Sequence, residues 1–230
     1  MKNSEIGWTK HTYNPWEGCT QVSPGCANCY AKTDCADRYK RVVWGASGAR
    51  RRVTTTLNSP LKWHDEAVRA GRRDKVFCAS LSDVFDDHPS IQQDWRDHLW
   101  SMVRSTPCLQ WLLLSKRPEN FAKFLPADWG DGFDNVCLMV STENQEWAQK
   151  RIPTLLNTPA RWRGLSCEPL LGSLDLSFWL DRLDWVIVGG ESGKDARPMD
   201  PAWLRSLKEQ CTATGVSFFF KQWGSWAPAA

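Results

Sequence analysis

Short apolar runs, each closed by polar residues and each separated from the next by a helix-length stretch, restrict this chain to few folds. They fall at 75–80 (KVFCAS), 109–114 (LQWLLL), 136–140 (VCLMV), 161–165, 185–188 (WVIV) and 216–220. Runs that are apolar throughout, without alternation, read as strands buried on both faces, which means a parallel sheet. Helical spacing of apolar residues fills the intervals at 60–70, 91–104, 118–124, 145–156 and 201–212. A short first strand is expected within 6–12. About six or seven such units predict an α/β fold, a partial (β/α)6-7 TIM-like barrel with parallel strands. A doubly wound open sheet is the alternative, and no Gly-rich dinucleotide fingerprint follows any run to favour it. With 230 residues the chain can form one large domain, 1–230, interrupted by a basic insertion at about 41–60.

The second constraint is the stretch 18–30, GCTQVSPGCANCY. Six residues separate Cys19 from Cys26, and two separate Cys26 from Cys29. The turn formers Pro24 and Gly25, with Asn14-Pro15 and Gly18 upstream, describe a loop folded back on itself that points three sulfurs at one centre. Grouped thiolates bind a soft metal or an iron–sulfur cluster, or form disulfides. Cys35 would complete a four-cysteine zinc site. However, 29–40 reads as a helix that turns Cys35 away from Cys29. Nine cysteines are an odd number for a disulfide framework.

The polar closures of the apolar runs are the third feature. In a barrel they share one rim, where sites are built. Asp83, Lys116, Arg117, Glu143, Glu168, Glu191 and Lys221 are therefore expected around a polar pocket. The net charge of +3 does not itself announce a nucleic-acid binder. Its local concentration says more: Arg38, Lys40, Arg41, Arg50, Arg51 and Arg52 crowd the segment after the cysteines and are expected on phosphates, Arg50, Arg51 and Arg52 above all, against the alternative of a solvated surface. Of the 15 tryptophans most should be core, while Trp16, Trp44 and Trp223 lie where they can stack on bases. The opening residues MKNSEIGWTK carry no apolar signal core and no apolar run is long enough to span a bilayer. A cytoplasmic location without a membrane partner is expected.

Three cysteines after a first strand, facing a polar rim, resemble the radical S-adenosyl-L-methionine (SAM) superfamily. In detail, GCTQVSPGCANCYA, SLSDVF, LLLSKRP, SCEPLLG, WVIVGGESG, RPMDPAW and FFFKQWG resemble, in order, a phage-associated family with a three-cysteine motif. They are also similar to short enzymes of the spore photoproduct lyase type, which repair a thymine dimer in DNA. The spacing departs from the superfamily's usual three then two residues, Asn28 stands where an aromatic is common, and Tyr30 comes one place late.

The resemblance implies a 4Fe-4S cluster on Cys19, Cys26 and Cys29, with one iron left open for SAM. Reductive cleavage of SAM to a 5′-deoxyadenosyl radical would follow. Ser82, Ser115, Lys116, Ser141, Glu143, Glu168, Gly189, Gly190 and Glu191 would surround SAM. Cys167 would return a hydrogen atom to the product, and its loss would spoil the product while sparing SAM cleavage. An electron donor such as flavodoxin or ferredoxin and a nucleic acid, DNA above RNA, are the implied partners, with photoproduct repair the implied function. The alternatives are a radical SAM enzyme acting on RNA, a peptide or a small molecule, and a zinc-stabilised phage protein that binds nucleic acid or a partner without catalysis.

Overall fold

The computed structural model describes residues 1–227. Strand β1 (His11–Tyr13) is followed by a small antiparallel ribbon of β2 (Trp16–Glu17) and β3 (Arg51–Arg52). Then come β4 (Asp74–Cys78), β5 (Leu109–Ser115), β6 (Val136–Ser141), β7 (Trp162–Cys167), β8 (Trp185–Gly189) and β9 (Ser217–Gln222). Apart from the ribbon, the strands form one seven-stranded sheet, ordered as they occur in the chain. Every neighbouring pair is parallel. The sheet curls into a half-barrel with β1 and β9 at its edges, the partial barrel expected from the sequence. A doubly wound sheet would reverse its order at a switch point, and this one does not.

Helices α2 (Ser59–Arg69), α3 (Gln93–Ser105), α4 (Phe121–Phe124), α5 (Gln145–Asn157) and α6 (Pro201–Thr214) supply five of the six crossovers, and a 3-10 turn at Leu180–Arg182 lies in the sixth, between β7 and β8. Two have side-chain caps: Asn144 accepts from Trp147 N at 3.1 Å to start α5, and Asp200 accepts from Ala202 N at 2.7 Å to start α6. Among the described residues no helix is long and apolar enough to cross a membrane.

Side chains alternate across each strand, so the sheet has two faces with different tasks. Val76, Trp111, Leu113, Leu138, Leu165 and Val186 join the large core beneath the helices. Phe77, Leu112, Cys137, Met139 and Ile187 meet Trp8 in a second, smaller cluster inside the curl. Burial on both sides explains why these strands are apolar throughout.

Two local expectations differ from the structure. The first strand, His11–Tyr13, is shorter than 6–12 and lies at its end. The helix expected over 29–40 is a single turn, α1 (Tyr30–Lys32), running into a π-helical segment, Thr33–Arg38. That segment buries Cys35 completely, and Arg41 Nη2 donates to its sulfur at 3.5 Å.

Candidate functional site

The cysteine loop leaves the C-terminal end of β1 and is fastened from three sides. At the end of β6, Glu143 is fully buried beneath it. Ser23 Oγ donates to Glu143 Oε1 at 2.6 Å, Arg151 Nη1 donates to Oε2 at 2.8 Å, and Lys116 Nζ lies 3.8 Å from Oε1. Gly25 rests on the same carboxylate: a Cβ there would lie 2.4 Å from Glu143 Cγ, closer than any side chain can come. Position 25 therefore has to be glycine for the loop to sit down.

Arg117, just past β5, makes the second attachment. It is buried against Asp83 (3.2 Å) and Asp86 (3.6 Å), donates to Cys19 Sγ at 3.4 Å, and donates to Thr20 O at 2.6 Å. Burial pushes the Cys19 thiol up to about 12, a rise that Arg117 opposes and Asp83 and Asp86 reinforce. The third attachment comes from the segment after β8. Asn28 Nδ2 donates to Glu191 Oε2 at 3.0 Å and to Asp195 O at 2.6 Å, while Arg197 pairs with Glu191 and donates to Pro24 O at 2.9 Å.

Held in this way, Cys19, Cys26 and Cys29 all line one cavity of about 420 Å³ at the mouth of the half-barrel. None is in a disulfide. Lys116, Glu168 and Lys221 line the same cavity, as do the aromatic side chains of Trp8 and Phe77. Lys221 is hydrogen-bonded to Glu168, and Lys116 Nζ donates to Ser141 Oγ at 3.0 Å. Tyr30 lines the cavity beside Cys29, its hydroxyl donating to Ser80 O at 2.8 Å.

Of the residues singled out in the sequence, Ser82, Ser115, Lys116, Ser141, Glu168, Gly190, Glu191 and Trp44 also border this cavity. Several are already engaged. Ser82 donates to Trp16 O at 2.9 Å, Ser115 donates to Asp83 at 2.8 Å, and Glu191 is bound by Arg197 and Asn28. Glu143 is placed under the loop instead of in the cavity. Gly189 faces the Glu168 side chain, where a Cβ would lie 3.2 Å from its carboxyl carbon.

Cys167 does not border this cavity. Ser166 and Glu168 border the cavity, so the residue between them faces the other side of the strand, where Cys167 is fully buried in the large core. It lies 3.1 Å from Thr142 Oγ1, and burial pushes its thiol up to about 12 with Thr142 opposing.

The arginine run is engaged by carboxylates of this chain. Arg50 is buried, pairs with Asp86 at 2.7 Å, and donates to Gly45 O, Gly48 O and Thr20 Oγ1. Arg51 pairs with Glu17 and Arg52 with Asp94, each at 2.7 Å. Trp16 is fully buried and has no face to offer a base. The attachments through Arg197 and Asn14, whose side-chain oxygen accepts from Leu81 N at 2.9 Å, were not singled out as site features. Their only signal was membership of the fragments NP and RPMDPAW.

Among the described residues no three His, Cys, Asp or Glu side chains are set to hold one metal ion. Cys19, Cys26 and Cys29 are three unbridged thiols lining one cavity, the soft donor type that iron–sulfur clusters take, but they are dispersed around it and not gathered at one centre. Cys35, which a four-cysteine site would require, is buried elsewhere.

Solved structures of two mutants of a spore photoproduct lyase share the fold. Each has a TM-score of 0.58 at 10% identity, over 96% of this chain and 78% of the other. At that identity the likeness is one of fold. No curated protein matches the sequence. A family model described as "Protein of unknown function (DUF5131)" matches residues 3–230.

Proposed function

The chain belongs to this DUF5131 family of unknown function, and we propose that it is a radical SAM enzyme whose 4Fe-4S cluster is held by Cys19, Cys26 and Cys29. The observation that carries the reading is the opening of three unbridged thiols onto one cavity at the mouth of a half-barrel. The fold shared with spore photoproduct lyases supports it. When bound, such a cluster supplies the electron that cleaves the SAM sulfonium to a 5′-deoxyadenosyl radical.

The chain's own groups do the binding. Lys116 is the cation for the methionyl carboxylate. Glu168, oriented by Lys221, accepts from the amino group or the ribose hydroxyls. Trp8 and Phe77 give the cavity an aromatic wall. Glu143, Arg117 and the Glu191–Arg197 pair position the loop without touching the reacting atoms.

For the substrate we propose a thymine-dimer photoproduct in DNA, with a flavodoxin or ferredoxin as electron donor. That the structural neighbours are spore photoproduct lyases supports this choice. A damaged base is also the cheapest to extrude, since unstacking costs only a few kcal/mol and least at a lesion. The test is to give reconstituted protein, SAM and a reductant to DNA carrying the photoproduct and to assay for restored thymines. Restoration together with 5′-deoxyadenosine supports the assignment. SAM cleavage with unaltered DNA would redirect the search to RNA, a peptide or a small molecule.

A further inference from the structure

A second concavity of about 520 Å³ lies beside the cysteine-lined cavity. Lys32, Lys40, Arg41 and Trp44 line it, Val42 and Val43 add apolar surface, and Asp37 is its one acid. The two spaces share a wall. Trp44 borders both, and on the turn after the cysteines Tyr30 and Ala31 face the cavity while Lys32 and Ala36 face the groove. Gly45 N donates to Cys19 O at 3.0 Å, so the groove wall is tied to the cysteine loop.

The charges in the groove are differently spent from those of the arginine run. Arg50, Arg51 and Arg52 are each matched to a carboxylate. Arg41 is partly committed to Glu17 at 3.1 Å. Lys32 and Lys40 are exposed and enter no ion pair among the described residues. Arg38, between them, is likewise exposed and lies over the Tyr39 ring at 5.2 Å, and Asp34 and Asp37 are the acids of the same segment. Of these cations without an ion pair, Lys32 and Lys40 are the two that line the groove, beside the Trp44 ring that borders both spaces.

We propose that this groove seats the phosphodiester backbone of a single-stranded nucleic acid, with a base stacked on Trp44 on its way into the cavity. The inference rests on the nucleic-acid reading above and, within the basic segment, shifts the contact from Arg50, Arg51 and Arg52 to Lys40, adding Lys32. Cations tracking a backbone beside a ring that takes a base face is the arrangement by which single strands are held without sequence preference. A single strand is required because a paired base presents no face to the ring.

Binding of a labelled oligothymidylate to the full-length protein, followed across a salt series, tests it. Losing two phosphate contacts in a Lys32→Gln/Lys40→Gln double variant should lower the slope of log affinity against log salt by about 1.4. An Arg51→Gln/Arg52→Gln variant should keep the wild-type slope. Trp44→Ala should weaken binding about fivefold or more at an unchanged slope, and Trp44→Phe should recover part of the loss. An unchanged slope in the lysine variant overturns the proposal, as does a lowered slope in the arginine variant. If the lysine variant binds DNA normally but is reduced more slowly by an acidic flavodoxin, the groove belongs to the electron donor and the proposal also fails. A wild-type protein that binds no oligonucleotide overturns the nucleic-acid reading itself.

Discussion

Arg117 donates to the sulfur of Cys19 at 3.4 Å while its other terminal nitrogen holds Thr20 O at 2.6 Å. One buried guanidinium thus fixes both the first proposed ligand and the backbone next to it, and Asp83 and Asp86 hold the guanidinium in turn. Partners of this kind orient ligands and tune the metal centre they serve.

A cation on a cysteine sulfur stabilises the more negative, reduced cluster. Arg117→Met should therefore lower iron retention and make the midpoint potential more negative, where about 59 mV corresponds to tenfold in a one-electron couple. Arg117→Lys should recover part of both. Potentiometry on the reconstituted variants measures the shift, and an unmoved potential would separate Arg117 from the cluster.

The seat under the loop can be broken from either side. Gly25→Ala drives a Cβ into Glu143 and should abolish iron loading while far-ultraviolet circular dichroism stays native. Glu143→Ala instead strands Arg151, a buried cation, and should cost about 3–5 kcal/mol of stability. Thermal unfolding distinguishes the two: a modest change for the first variant and a large drop for the second.

Cys167→Ala should leave both SAM cleavage and product intact, apart from a small loss of stability from a core thiol on the far side of the strand. A variant that cleaves SAM but gives an altered product would show that the thiol reaches the cavity after all.

Burial alone would push the Glu191 carboxyl up, but Arg197 and Asn28 hold it below its ordinary value of 4.5. A lowered folded value means the pairing contributes fully above about pH 4.5 and is lost as pH falls through the folded value. Acidification below that point should loosen the loop through Asn28 and Pro24, and Glu191→Gln should flatten this pH dependence. Stopped-flow alkylation of the loop cysteines on return to neutral pH after an acid pulse reads the effect.

Much of the fold was legible because strands buried on two faces leave an unmistakable apolar run. Leu109–Ser115 and Val136–Ser141 each lie within a residue of their expected ends. What the runs could not give is which side chain faces inward at their ends, since adjacent residues alternate. Ser166 and Glu168 border the cavity, and Cys167 between them does not. The partners of Arg50, Arg51 and Arg52 were equally invisible, because Asp86, Glu17 and Asp94 are distant in sequence and reach them only through tertiary folding. The π-helical segment that buries Cys35 left no mark in the spacing of apolar residues, so the sequence turned that cysteine away from Cys29 by a regular helix where the chain uses a π-helical one.

The central claim is that Cys19, Cys26 and Cys29 hold a SAM-binding cluster. Anaerobic reconstitution with iron and sulfide, followed by metal and sulfide counting and addition of SAM with a reductant, tests it most directly. The account predicts about four irons and four sulfides per chain and release of 5′-deoxyadenosine, both lost on alanine substitution of any of the three. Tightly bound zinc with no cleavage of SAM would contradict it.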